Sequence, residues 1–232
     1  RIKSLESSGT VTEEESTIED VAEDPKTEVK KFTEADQARV DALIPMMNTS
    51  GATAEQHEEL LDLLNKADKA VRDSAVVALK EMVKAEPENQ YLRLALAETM
   101  TTQFQDLEFG PKMGQLASDI KKEADKAIEI GPDYYDARHY LALFNVNHPA
   151  FTPEFKGANV QLDEALKLQE SLTWEDRFAD IYSGYGVWYH KQKMYDEGLA
   201  KVQEGLDKAP RNEDLIETKA ILEKAKADEG DE

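Results

Sequence analysis

The sequence contains no cysteine, and this absence rules out disulfide bonds and thiolate metal sites in the chain. No apolar run approaches the roughly 18 residues that a membrane-spanning helix needs. Cations are also scarce, since 28 Lys and Arg stand against 49 Asp and Glu in 232 residues, for a formal net charge of −21. Such a surface repels the phosphates of nucleic acids and anionic lipid headgroups. The composition therefore excludes nucleic acid as a partner. It favours a solvated acidic surface over a dedicated site for a basic partner.

Motifs for catalysis and cofactor binding are also missing. The chain has no Gly-rich phosphate loop, no serine elbow and no Asp-x-Asp-x-Asp calcium loop. Four histidines lie far apart in the sequence and are interpreted as surface or packing residues: His57, His139, His148 and His190. Adjacent carboxylates such as Glu58 and Glu59 are common in so acidic a chain and indicate no acid–base chemistry. The sequence therefore predicts a non-enzymatic protein without a cofactor or a metal.

The two ends of the chain differ from its middle in composition. Residues 1–32 are polar and acidic, with three consecutive glutamates from Glu13, and they hold too few apolar side chains to offset the entropy of ordering. We therefore expect a disordered tail over 1–32, a helical domain over 33–227 and a frayed acidic end over 228–232. The chain begins with Arg1 rather than Met, which favours processing and a periplasmic or otherwise exported location. Membrane attachment is expected only through a segment missing from this chain.

The clearest pattern in the sequence spans Ala179–Pro210 and predicts two helices joined by a turn. Small and aromatic residues recur there at spacings of three and four, which places them on one face of each helix. They are Tyr182, Tyr185, Gly186 and Tyr189 on the first helix, and Gly198, Val202 and Gly205 on the second. Gly186 lacks a side chain where another helix must come close, and Pro210 can end the second helix. Such a pair buries these faces only by stacking on similar units.

These residues resemble the tetratricopeptide repeat (TPR), whose pattern is an aromatic, a Leu-Gly pair, a Tyr, an Ala, an aromatic, an Ala and a Pro. Tyr185 replaces the Leu and Val202 the second aromatic, while Gly198 and Gly205 replace the alanines, all at the family spacing. Since Gly in a helix costs about 1 kcal/mol relative to Ala, Gly198→Ala is expected to stabilise the protein. The resemblance is to the bacterial type with degenerate repeats and lengthened loops. It implies an all-α fold, a right-handed superhelix of antiparallel helical hairpins.

Three weaker units are expected before this repeat, and one helix after it. The first unit begins at a capping box formed by Thr53 and Gln56 and ends at Pro87, and the second ends at Pro132. An earlier capping box at Thr33 begins the ordered part. A last amphipathic helix is expected to cap the stack at its C-terminal end, because terminal units need a polar outer face.

Proline spacing locates two inserts within the repeats. Pro87 and Pro132 are 45 residues apart, and Pro132 and Pro210 are 78 apart, whereas one repeat is about 34 residues long. The excess lies between the two helices of the second and third units, which predicts two loops along one edge of the stack. The loop-edge residues are Phe109, Phe151 and Phe155. Aromatic inserts of this length are often functional; the alternative is that these phenylalanines pack against helix ends.

The resemblance implies that the inner faces of the first helices line a concave groove. The partner-binding residues it implies are Tyr91, Glu98, Thr102, His139, Leu143, Asn147, Asp180, Ser183, Val187 and His190, with Leu94 and Asp136 at further inner positions. These positions lack the cluster of Lys and Arg with which some family members clamp a carboxylate terminus. The predicted function is a non-enzymatic scaffold that binds another protein or a peptide. The lengthened loops also resemble bacterial TPR-like solute-handling lipoproteins, which leaves a second hypothesis, an exported solute-binding accessory subunit of a transporter.

Overall fold

The computed structural model describes residues 31–230, and all regular secondary structure in this part is helical. The α-helices are α1 (Glu34–Leu43), α2 (Ala54–Lys66), α3 (Lys69–Ala85), α4 (Gln90–Thr101), α5 (Pro111–Ile130), α6 (Tyr135–Val146), α7 (Pro153–Lys156), α8 (Ala158–Gln169), α9 (Ala179–His190), α10 (Tyr195–Lys208) and α11 (Glu213–Gly230). Short 3-10 helices cover Ile44–Asn48, Thr102–Asp106 and Asp176–Phe178. None of the helices in this part is long and apolar enough to cross a bilayer.

The predicted disordered tail lies outside the described residues except for its last two positions. The compact helical unit begins at Phe32, whose half-buried ring packs against the core of the first units. At the other end, the last two residues of the predicted acidic end also lie outside the described part, while α11 continues to Gly230.

Both predicted capping boxes begin helices. At the start of α1 the Thr33 amide donates to Asp36 Oδ2 over 2.8 Å, and the Asp36 amide donates back to Thr33 Oγ1 over 3.2 Å. At the start of α2 the Thr53 amide donates to Gln56 Oε1 over 3.0 Å. These reciprocal bonds satisfy backbone donors that a helix N-terminus otherwise leaves without partners.

The helices stack in two layers. The pairs α4 with α5, α6 with α8, and α9 with α10 form hairpins, and each first helix also packs on the helices of the preceding unit. We call α2, α4, α6, α9 and α11 the first-helix layer, because each contacts the next in this order. The second layer consists of α3, α5, α8 and α10. This is the hairpin stack that the sequence predicts, with α11 as its capping helix.

The N-terminal unit departs from a regular hairpin. Its first helix, α2, packs mainly against α1 and α4, while α3 packs against α4. A buried ion pair holds this region together: Arg72 of α3 is only 5% exposed, and its Nη2 lies 2.5 Å from Oδ1 of Asp106. The same guanidinium donates to the Ala67 carbonyl between α2 and α3. Loss of either charged partner would leave an uncompensated buried charge, which is strongly destabilising.

Glycines, which have no side chain, allow α9, α10 and α11 to pack closely together. A Cβ added at Gly186 of α9 would lie 2.5 Å from Cγ2 of Thr218 in α11, so the predicted close approach is confirmed. At Gly198 of α10 an added Cβ would lie 3.0 Å from Leu222 Cδ2 and 3.1 Å from Tyr189 Cβ. The gain in helix propensity from Gly198→Ala therefore competes with a steric cost that the sequence does not reveal.

Candidate functional site

Charged side chains join α2 to α4 and α6 to α9 within the first-helix layer. His57 of α2 and Glu98 of α4 form the first contact, with Nδ1 and Oε2 2.5 Å apart. Their side chains are 13% and 15% exposed, so the pair is largely shielded from water yet still reaches the surface. Electrostatic interactions in such a setting are stronger than on an open surface.

The environment of His57 favours its protonated form. Burial alone would lower the pKa of this imidazole, but the hydrogen bond and the charge of Glu98 act in the opposite direction. The charge of Asp136 adds to the effect, while Arg177 opposes it. The result is a pKa raised above the ordinary histidine value.

Arg177 provides the second contact of the layer. It lies in the 3-10 helix before α9, donates through Nη1 to Asp136 of α6, and donates through Nε to Glu175 over 2.5 Å. Its guanidinium carbon also lies 5.4 Å from the centre of the Tyr135 ring, within range of a cation–π contact. Arg177 is therefore held by two carboxylates and an aromatic face.

His139 of α6 and Asp180 of α9 form the third contact. Nε2 of His139 lies 3.4 Å from Oδ2 of Asp180, but it is buried and makes no hydrogen bond, so the two groups are close neighbours only. The imidazole packs beside the Tyr135 ring, with centres 5.5 Å apart. We call the members of these three contacts the charged row: His57, Glu98, Asp136, Arg177, His139 and Asp180.

Aromatic residues accompany the charged row at the N-terminal ends of α4 and α6. Tyr91 and Tyr134 meet edge to face with ring centres 5.1 Å apart. Burial, followed by the charges of Asp136 and Glu98, raises the pKa of Tyr134, so its hydroxyl stays neutral. Tyr91 also borders an open depression of about 580 Å³, lined by Asn48, Glu86, Pro87, Glu88, Asn89, Gln90 and Tyr91.

The structure brings some of the predicted partner-binding residues together and separates others. Glu98, His139 and Asp180 belong to the charged row. The half-buried residues are Tyr91, Leu143, Val187 and His190. Asn147 is exposed and donates to the Leu143 carbonyl of its own helix over 2.9 Å.

Two predicted partner-binding residues lie inside the fold. Thr102 is 3% exposed and donates to the Thr99 carbonyl, while Ser183 is 3% exposed and meets the Thr218 hydroxyl of α11 over 3.1 Å. Leu94, a further inner position, is fully buried. Ser183 is covered because α11 continues the first-helix layer beside α9. The accessible part of the candidate site is therefore smaller than the predicted set.

Sequence reasoning missed His57 and Arg177 as members of the site. His57 lies 34 residues before Tyr91, since 91 − 57 = 34, which is one family repeat and places it at an inner position of the first unit. That spacing could have found it. No such signal marks Arg177, because it precedes α9 in a 3-10 helix that the sequence pattern does not indicate.

The predicted loop-edge residues have different environments. Phe109 and Phe151 are 87% and 76% exposed, whereas Phe155 of α7 is 2% exposed. Trp188 of α9 donates through Nε1 to the Phe155 carbonyl over 3.0 Å. Lys191 Nζ lies 5.3 Å from the centre of the Phe155 ring. Phe155 is thus a core residue between the two long helices of the third unit, whereas Phe109 and Phe151 are exposed to solvent.

Comparison with known proteins finds no matching family model and no matching curated protein. Solved structures do match. A thermophilic TPR protein of Thermus thermophilus is 19% identical with a TM-score of 0.59, over 81% of this chain and 90% of that one. A TPR protein of Parabacteroides merdae is 15% identical with a TM-score of 0.53, over 80% of this chain and 65% of that one. The likeness confirms the predicted fold, a TPR-like α-solenoid.

Proposed function

We propose that this chain is a non-enzymatic scaffold that binds an extended segment of another protein along the concave side of its first-helix layer. The observation that carries the proposal is the charged row, whose partly accessible side chains join α2 to α4 and α6 to α9. Charged groups on the first helices of four successive units suit an extended ligand better than a small molecule, because an extended ligand can contact each unit in turn.

Charge complementarity indicates a cationic segment. Carboxylates outnumber cations in the charged row and at its margins: they are Glu55, Glu98, Asp136, Glu175 and Asp180. Arg177 is already engaged by two of them, and His57 by one. Lysine or arginine side chains of a partner would complete this arrangement, and the rings of Tyr91 and Tyr134 could stack on an arginine or an apolar neighbour.

A labelled peptide of alternating lysine and serine is a suitable probe. In fluorescence polarisation at low salt, the double variant Glu98→Gln and Asp180→Asn should bind it about tenfold more weakly than the wild-type chain, the effect of about 1–2 kcal/mol expected at a contact centre. Binding should also weaken as salt screens the charges.

The matched control is the double variant Glu170→Gln and Asp207→Asn, which removes two exposed carboxylates at α8 and α10 in the second layer. It changes net charge by the same amount and should leave affinity within about twofold, because single exposed charges contribute little. Equal affinity of the two double variants would show that the peptide binds the whole acidic surface, and would refute specific binding at the charged row.

The alternative function, a solute-binding accessory subunit, receives less support from the inserts. It requires the phenylalanines to close over a ligand. Phe155 is instead packed in the core, and Phe109 and Phe151 face solvent. The depression beside Tyr91 is open and lies at the connection between α3 and α4, and no residue of the two inserts lines it. We therefore retain the scaffold as the proposal.

A further inference from the structure

Glu98 occupies a position where two cations can compete for one carboxylate. Its Oε2 lies 2.5 Å from Nδ1 of His57, and its side chain is still 15% exposed at the surface proposed to bind a cationic segment. The pair is also the contact in the charged row that ties the N-terminal unit to α4. A change at this contact therefore alters both the charge of the groove and the attachment of α2.

Other charged groups around His57 are accounted for. Asp136 of α6 favours the charged imidazole of His57 and Arg177 opposes it. Arg177 also acts electrostatically on Glu55, which lies on the same helix as His57. Among the other elements packed against α2, Arg39 of α1 pairs with Glu59 of α2, and Asp106 of the 3-10 helix pairs with Arg72. Glu98 is thus the principal partner of His57.

Building on the proposed function, we propose that a proton on His57 and a cationic group of the bound segment compete for Glu98. At low pH protonated His57 therefore keeps the cationic segment from Glu98, and at higher pH the segment can bind this carboxylate. Protonated His57 neutralises Glu98 and holds α2 against α4, whereas neutral His57 leaves the carboxylate its full charge. Binding of a cationic group should accordingly release a proton from His57.

The direction of the pH dependence follows from the linkage between protonation of His57 and formation of its contact with Glu98. Glu98 raises the pKa of His57 above the ordinary value of about 6.5, so the stabilising contact is fully present below that pH. It is lost as the pH rises through the raised pKa of the folded state. A ligand that draws Glu98 away lowers the pKa of His57, and its affinity must increase over the same interval.

The test is the affinity of the lysine–serine probe measured from about pH 5.5 to about pH 8.5, the range in which histidines titrate. The wild-type chain should bind about fivefold more tightly at the upper end, equivalent to one partly exposed ion pair. His57→Gln keeps a hydrogen-bonding side chain but cannot titrate, and its profile should be flat. His148→Gln, just beyond the C-terminal end of α6 and beside Phe144, should keep the wild-type profile.

His139→Gln forms a further arm of the experiment, because His139 is the other histidine of the charged row and lies beside Asp180. A pH profile abolished by His139→Gln but retained in His57→Gln would overturn the competition and leave the groove intact. Absence of probe binding by the wild-type chain at every pH would overturn the groove, and the competition with it.

An NMR titration of the His57 ring gives a readout that does not depend on the folding of a His57 variant. Saturating probe should lower the titration midpoint of His57. Glu98→Gln should lower the His57 midpoint without any probe. If the probe binds and the His57 midpoint does not move, the competition is wrong.

Discussion

The two inserts have the same sequence pattern and different structures. Each has a Phe followed two residues later by a Pro: Phe109 and Pro111 in the first insert, Phe151 and Pro153 in the second. The first insert leaves Phe109 in solvent and passes directly into α5 at Pro111, whereas the second folds into the short helix α7 and buries Phe155. An aromatic insert thus becomes part of the core only where the next unit supplies contacts for it.

Two contacts from α9 and its C-terminal end account for the difference. The Trp188 indole donates to the Phe155 carbonyl, and its ring centre lies 6.4 Å from that of Phe155. Lys191 donates to the carbonyls of Val146 and His148 over 2.8 and 3.2 Å. These bonds cap the C-terminal end of α6 and hold the start of the insert against α9. Burial lowers the pKa of Lys191, consistent with an ammonium group held against the protein.

Phe155→Ala should have the largest effect on this comparison. Removal of a fully packed aromatic ring leaves a cavity and should lower the free energy of unfolding by about 3–5 kcal/mol. Urea denaturation followed by tryptophan fluorescence measures the change, and one of the two tryptophans, Trp188, lies beside the substituted ring. Phe151→Ala in the same insert is the control and should lose less than about 0.5 kcal/mol. A small effect of Phe155→Ala would mean that α7 does not anchor the third unit.

Thr152→Ala should have an intermediate effect. The Thr152 hydroxyl accepts from the Phe155 amide over 3.3 Å and caps α7, a bond that typically contributes about 1 kcal/mol. Thermal unfolding should show a corresponding fall in Tm, and Thr152→Ser should restore most of it. The first insert has no such cap, because Gly110 stands before Pro111. If Thr152→Ser behaves like Thr152→Ala, the hydroxyl is not what holds α7.

Local signals in the sequence were sufficient for the fold. The capping boxes at Thr33 and Thr53 involve residues three apart, and Gly186 and Pro210 have meanings that follow from backbone geometry alone. Such features can be read without knowing which helices meet. The layered stack then follows, because helices with one apolar face must bury it against neighbours.

The candidate site was predicted less well, because its geometry depends on contacts between distant residues. His57 and Glu98 are 41 positions apart, and so are Asp136 and Arg177. Ser183 occupies a groove position by repeat numbering, yet α11 continues the first-helix layer and covers it. Repeat position gives the direction in which a side chain leaves its helix. Whether that side chain remains accessible depends on the helix that follows.

Phe109→Ser combined with Phe151→Ser should have the smallest effect and completes the comparison. Both rings are mostly exposed, so their removal should change the free energy of unfolding by less than about 0.5 kcal/mol and the Tm by about 1–2 °C. Affinity for the lysine–serine probe should be unchanged, because neither residue belongs to the charged row. A loss of stability comparable to that of Phe155→Ala would show that the exposed rings contact the fold. A loss of probe affinity at unchanged stability would extend the binding surface from the first-helix layer to the loop edge, since an exposed aromatic can contribute to binding without contributing to folding.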